Sequence, residues 1–237
     1  MSGPLALKLL QYADLSSTDM ALVDDLVDTE IRTVKAGGDL VREGDHIHFL
    51  KIVLDGWGCR YKLLENGSRQ IVAFLLPGDL CNPVFPVAGT IDHSIGAIDK
   101  MHCALVLSDA VELVRTQSPR IRLALGIEGT ATLAIQREWT RNVAARSARQ
   151  RIGHLFCELA HRLRAIGVAT SDGFDSPLTQ IHLAEATGLS TVHVNRVIQD
   201  LRARDLIHWQ GGRITMPDPA ALEAYCHFRP SYLQFGR

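Results

Sequence analysis

Asn195 and Arg196 stand side by side in the segment LTQIHLAEATGLSTVHVNRVIQDLRARDLI, residues 178–207. A guanidinium pairs with the O6 and N7 of guanine, and a carboxamide with the N6 and N7 of adenine, so the two side chains suit base-edge recognition in a major groove. Both fall near the start of a helical apolar stripe, Val194, Val197, Ile198 and Leu201, which leaves them on the outward face with Thr191, Val192, His193 and Gln199. Ser190 precedes that helix and Thr179, followed by Gln180, precedes an earlier one with Leu183 and Ala184 facing inward; both hydroxyls suit N-caps. Gly188 supplies a positive φ for the tight turn, and Leu189 plugs the angle between the helices. This order of caps, glycine and stripes is a helix-turn-helix pattern. The following LIHWQGGRITMPDP reads as two short strands around Gln210, Gly211 and Gly212, a wing that sets Arg213 against a phosphate backbone.

The remaining groups able to do chemistry are dispersed. The five cysteines, Cys59, Cys81, Cys103, Cys157 and Cys226, are odd in number and show no C-x-x-C spacing, so the expectation is reduced, buried thiols, with neither a zinc site nor a disulfide framework. His46 and His48 read as a solvated strand edge, and His154 and His161, seven apart, as the polar face of a helix. No nucleophile with a base partner, paired carboxylates or Walker-type loop is visible, so catalysis is not expected. The formal net charge is -1, but it is unevenly placed. Residues 1–140 hold 13 basic and 18 acidic side chains, net -5, while residues 141–237 hold 12 and 8, net +4, and all 12 are arginines. Arginine's planar fork suits phosphates and guanine edges, which points to a nucleic-acid partner. No apolar run nears the ~20 residues of a membrane span, and the N-terminus lacks signal-peptide features, so a cytoplasmic location is expected.

The elements that must hold these groups follow from periodicity. A 237-residue chain that is 46% hydrophobic and 22% charged suits two modest folded units. From Ile31 to about Val106, short alternating stretches are punctuated by AGGD, REGD, LDGWG, ENGS and PGD, the texture of a β-roll, with Glu65-Asn66-Gly67 read as a type I′ hairpin turn. Before it, TDMALVDDLVDTEI has helical spacing. At Ser118 the texture changes: Ser118 caps and Pro119 opens a helix running to about Ala145, roughly 40 Å long. Ile121, Leu125, Ile127, Ala131, Ala134, Ile135 and Trp139 sweep one side of it, and Gly126 and Gly129 let another backbone approach. We read it as a pairing helix between two subunits, with Ile121, Leu125, Gly129, Thr132, Ile135 and Trp139 as dimer contacts. Ser147 and Gln150 form a capping box for a further helix, Ile152 to Ile166, ended by Gly167. VATSDGFDSP then reads as a polar linker. The expected fold is α+β: a jelly-roll-like antiparallel β-roll with an N-terminal helix over residues 1–117, a dimerisation helix over 118–146, and a winged helix-turn-helix over 147–237.

This order of parts resembles the Crp/Fnr family of bacterial transcription regulators over nearly the whole chain, most specifically in GLSTVHVNRVIQDLRARDLI. The resemblance implies a homodimer on palindromic double-stranded DNA, RNA polymerase as a partner, and a small effector in the β-roll that shifts the long helices and so the spacing of the recognition helices. Arg196 falls on the family's guanine-reading arginine, while Val192 replaces a base-contacting glutamate, so the half-site differs. In cyclic-nucleotide-binding members a Gly-Asp turn is followed by Gly-Glu, for the ribose, and Arg-Ser, for the cyclic phosphate. Here Gly78 and Asp79 match the turn, Asn82 and Pro83 replace Gly-Glu, and His93 with Ser94 replaces Arg-Ser. Losing charge-assisted hydrogen bonds of ~1.5–3 kcal/mol each is expected to weaken cyclic nucleotide binding by orders of magnitude. The effector is therefore unidentified, and no cofactor is assigned. Cys81 and His93 leave a haem or redox sensor as an alternative, and a cyclic-nucleotide module acting through protein partners is another. An iron–sulfur cluster on N-terminal cysteines is not expected, because the first cysteine is Cys59.

Overall fold

The computed structural model describes residues 2–82 and 89–236; Pro83 lies outside the described residues. The chain divides into two compact units, one of Met1–Lys62, Ala73–Leu133 and Gln234–Arg237, the other of Leu63–Val72 and Ala134–Leu233.

The first unit begins with two helices, α1 (Pro4–Leu10) and α2 (Ser17–Val27). Strands β1 (Glu30–Val34), β2 (Asp39–Val41), β3 (Phe49–Asp55), β4 (Gly58–Leu63), β5 (Arg69–Leu75), β6 (Ser94–Ala97) and β7 (Met101–Leu107) follow, then α3 (Ser108–Gln117) and the long α4 (Pro119–Ala145). The strands form two antiparallel layers, ordered β1-β7-β3 and β2-β6-β4-β5. Two-residue periodicity sorts β3 and β7. Leu50, Ile52, Ala104 and Val106 face a core shared with Leu5, Leu9, Val23, Ile121 and Leu125 of the helices. Val53 and Cys103 face the roll interior with Leu40, Val41, Cys81 and Ile95. With both faces covered, β3 reads as the nearly unbroken apolar run FLKIVLD. Each fully buried Leu or Ile in these layers contributes about 1.5–3 kcal/mol.

Local chemistry fixes the joints. Ser16 and Asp19 form a capping box at α2. Ser118 Oγ accepts the Ile121 amide at 3.2 Å and donates to Asp19 at 2.6 Å. These bonds, the one from Ser118 first, hold the Asp19 carboxyl down to about 2. Among the elements above, α1 and α3 were not anticipated, because neither carries a side-chain N-cap. The Glu65-Asn66-Gly67 turn also differs from the expected type I′. Only Gly67 has positive φ (79°), while Asn66 Oδ1 accepts from the amide and hydroxyl of Ser68 at 3.0 and 2.6 Å and keeps its own backbone out of that region.

The second unit contains α5 (Ala148–Ala165), β8 (Gly173–Asp175), α6 (Gln180–Thr187), α7 (Thr191–Ala203), β9 (His208–Gln210), β10 (Arg213–Thr215), α8 (Pro219–Cys226) and a 3₁₀ turn (Pro230–Leu233). Its sheet is ordered β8-β10-β9. The stretch read as a polar linker thus supplies a strand: Phe174 is buried, and Gly173 lies so close to β10 that a Cβ there would sit 2.3 Å from the Ile214 carbonyl oxygen. The reading of His154 and His161 as a polar helix face is also overturned. His161 bonds Glu223 at 2.7 Å, and His154 is buried against Phe228 and Tyr232, 3.3 Å from Glu138. Beside it, fully buried Glu158 accepts from Trp139 Nε1 at 3.0 Å and Tyr232 Oη at 2.8 Å, and burial pushes its carboxyl up.

Burial, aided by the Arg146 charge, lowers the His154 imidazole from 6.5 to about 4. The unfolded chain therefore takes up this proton first, so stability is present above pH 6.5 and is lost as pH falls toward 4. His154→Phe is expected to flatten that part of the urea-midpoint profile; an unchanged slope between wild type and variant would rule the assignment out.

Candidate nucleic-acid interface and effector pocket

Thr179 Oγ1 accepts the His182 amide at 3.4 Å, and Ser190 Oγ the His193 amide at 3.2 Å. Each hydroxyl keeps its proton free to donate outward. Between the helices Gly188 has φ +66°, the left-handed conformation that ends α6 and turns the chain into α7. Val194, Val197, Ile198 and Leu201 bury one side of α7, so Thr191, Val192, His193, Asn195, Arg196 and Gln199 are exposed together on the other. Val192 is 69% exposed.

These outward groups differ in what they already hold. Arg196 makes no hydrogen bond or ion pair with the described residues and borders a cavity of about 240 Å³ with Arg149, His193 and Asp200; Arg149 and Asp200 pair with each other. Asn195 Nδ2 donates to Gln180 Oε1 at 3.3 Å, which joins the starts of the two helices. The wing forms as β9 and β10 around Gly211 and Gly212, but Arg213 is half-buried and engaged. It donates to Asp175 at 3.2 Å and Thr170 at 2.9 Å, with Asp172 at 3.6 Å.

In the roll, most residues singled out for an effector serve the protein's own structure. Gly78 has φ +86°, and a Cβ there would lie 2.6 Å from the Pro4 carbonyl oxygen, so its lack of a side chain admits α1. Asp79 takes Lys8 Nζ at 2.7 Å and the Leu76 amide at 2.7 Å. Asn82 accepts the Lys51 amide at 2.9 Å and donates to the Phe49 carbonyl at 3.1 Å. Ser94 accepts the Glu43 amide at 3.0 Å. Cys81 is buried, and its thiol is pushed up by a bond with Cys103 and by burial. His93 differs: Nδ1 meets Asp92 at 2.8 Å, while Nε2 is shielded from water without a hydrogen bond among the described residues. Burial lowers its pKa against the opposing pull of Asp92. Sequence reading passed over Arg60, which donates to the Leu80 and Cys81 carbonyls at 2.6 and 3.3 Å; an arginine on an alternating strand carries no signal that it points inward.

On α4, Ile121, Leu125 and Trp139, read as dimer contacts, are buried by their own chain. Gly129 is exposed, Thr132 and Ile135 are half-buried, and Thr132 Oγ1 donates to Glu128 at 3.4 Å. The side left open carries Leu123 and Leu133, 58% and 60% exposed, with Gly126 and Thr130 between them. Among the described residues no cluster of three or more His, Cys, Asp or Glu could hold a metal ion, and no helix is long and apolar enough to cross a membrane.

A β-roll followed by a helix-turn-helix with a β-wing defines a regulatory protein of two functional parts. Residues 31–117 match the cyclic nucleotide-binding domain and residues 150–225 the Crp-like helix-turn-helix domain. The chain carries Crp/Fnr-type sensing and helix-turn-helix domains, matching transcription regulators of the Crp/Fnr family. It is 27% identical to the transcriptional activator protein FnrL of Cereibacter sphaeroides over 185 residues, 77% of this chain and 74% of that one. It is 28% identical to the nitrogen fixation regulation protein FixK of Bradyrhizobium diazoefficiens over 172 residues, 73% and 71% of the two chains. The fold is that of FixK2 from Bradyrhizobium japonicum, with a TM-score of 0.72 at 19% identity, covering 82% of this chain and 96% of that one.

The contrast between engaged and free groups is measurable without a ligand. Asn82→Ala should cost about 1–3 kcal/mol, since it leaves the buried Lys51 amide without its partner. Arg196→Ala should stay within about 0.5 kcal/mol of wild type. Equal urea midpoints for all three proteins would overturn the structural role given to Asn82.

Proposed function

We propose that this chain is a homodimeric regulator that binds a palindromic double-stranded DNA site through α7. The observation that carries this reading is Arg196, exposed on the first half of the helix and without an intrachain partner among the described residues, where a guanidinium can take a guanine edge. Val192 beside it offers an apolar contact to a thymine methyl in place of a carboxylate. Thr179, Gln180, Ser190, Thr191, His193, Asn195 and Gln199 complete the surface, with hydroxyls and amides for phosphates and base edges. Arg213 joins them only by exchanging its acidic partners for phosphate.

The second copy seats on the open side of α4, where Leu123, Gly126, Thr130 and Leu133 follow a 3, 4, 3 spacing, the seam of a paired helix. Residues 1–117 sense, 118–146 pair and 147–237 bind DNA; RNA polymerase is the protein partner of a regulator of this class, acting in the cytoplasm. The effector is a small molecule other than a cyclic nucleotide, since neither a carboxylate for ribose nor a guanidinium for the cyclic phosphate stands at Pro83 or His93. A haem or redox sensor draws less support, because the Cys81 thiol is pushed away from the thiolate form that metal binding and oxidation require.

Arg196→Ala should weaken binding to a palindrome selected with the wild-type protein by about 1–3 kcal/mol and relax base choice at one position of each half-site; wild-type affinity and specificity would refute the role of α7. For the seam, sedimentation equilibrium of Leu133→Asp should show a monomer with an unchanged circular dichroism spectrum. A folded dimer would place the interface elsewhere.

A further inference from the structure

Lys51 is a buried side chain with no carboxylate partner among the described residues. It lies on β3 in register with Leu105 of β7, on the face whose next members, Val53 and Cys103, line the roll interior. It is only 7% exposed. Its ammonium has one hydrogen bond among the described residues, to the Phe49 carbonyl at 3.3 Å, and no described carboxylate reaches the 4.0 Å of an ion pair. Residues 83–88, PVFPVA, bring no acidic side chain either. An ammonium taken out of water normally costs several kcal/mol unless a counter-charge meets it, and burial here lowers its pKa.

The ammonium borders a cavity of about 320 Å³, at the lower end of the range for small-molecule sites. Its rim adds one guanidinium and two imidazoles: Arg32 of β1 and the exposed His46 and His48 of the β2–β3 loop line it. Asp45 is the one acid among the lining residues, and its carboxylate accepts the Arg42 amide at 2.9 Å. Leu40, Val41, Phe49 and Leu105 form an apolar flank. A partly desolvated ammonium, a guanidinium and two imidazoles around one partly apolar hollow are complementary to an anion with a short carbon body.

We propose that this cavity binds a small oxyanion, a carboxylate or phosphate head, with Lys51 as the central contact and Arg32, His46 and His48 at the rim. None of the positions matched to the nucleotide pocket lines the cavity, but two of them hold Lys51: the Cys81 amide donates to its carbonyl at 2.7 Å, and Asn82 holds both the Lys51 amide and the Phe49 carbonyl. An anion on Lys51 therefore acts on the strand end that Asn82 anchors. The assignment stands on the roll alone, whatever the DNA reading.

The test is thermal unfolding of the full-length protein without DNA, titrated with inorganic phosphate or succinate and compared with sodium chloride at equal ionic strength. A saturable rise in Tm beyond the chloride control is expected. Phosphate alone acting would identify a phosphorylated ligand, and succinate alone a carboxylate one. Lys51→Met, which keeps length and removes the charge, should unfold at a higher temperature than wild type in anion-free buffer and lose the anion-dependent rise. Arg32→Gln, at an exposed position, should raise the apparent Kd about tenfold, the loss of one charge-assisted hydrogen bond. No rise beyond chloride for either anion, or wild-type titrations from both variants, would overturn the site.

Discussion

The ammonium of Lys8 bridges two carboxylates, Asp79 at 2.7 Å and Glu128 at 2.6 Å, with all three side chains nearly withdrawn from water. One ion thus ties α1 to the turn after β5 and to the long helix α4. Such a triad adds little net stability against an apolar substitute, but removing one member leaves an uncompensated buried charge and costs about 3–5 kcal/mol. It fixes the arrangement more than it deepens the well. Gly78 must lack a Cβ for α1 to come within reach, and the Asp79 carboxylate must point back into the protein to meet Lys8. The roll turn that outwardly matches a nucleotide-binding one is therefore occupied by the chain's own lysine.

The same economy runs through the rest of the roll. Asn82 and Ser94 spend their polar atoms on backbone groups of β3 and of the β2–β3 loop, and Cys81 spends its thiol on Cys103. Among the described residues, His93 Nε2 has no hydrogen bond and the Lys51 ammonium has no carboxylate within ion-pair reach. In the second unit the division falls the other way. The apolar side of α7 is fully committed, and its outer side is left open, with Arg196 unpaired among the described residues and Val192 bare.

Much of this was legible in residue order. The caps Thr179, Ser190, Ser147 and Ser118, the positive φ at Gly188, and the stripes of α5 and α7 are local features, set by spacing along one helix and by the hydrogen-bonding reach of a side chain a few residues away. Periodicity also gave the roll strands and the length of α4. Direction was harder. Ile121, Leu125 and Trp139 are apolar and regularly spaced, yet nothing in that spacing says whether the stripe faces the same chain or a second one. The reading of VATSDGFDSP as a linker failed for a related reason: Phe174 earns a strand only because Ile214, some forty residues later, is there to pair with it.

The sequence by itself determined the class of fold, the order of its parts and the helix-turn-helix, because these depend on contacts within a few residues or on residue identity alone. Tertiary structure alone decided which charges are neutralised: that Asp79 belongs to Lys8, that Arg213 belongs to Asp175, that His154 is buried and that Lys51 has no carboxylate within ion-pair reach among the described residues. The physical reason is that burial and pairing are properties of three-dimensional neighbours. A side chain's charge is written in the sequence, whereas its dielectric surroundings and its partner are set by chain segments tens of residues away.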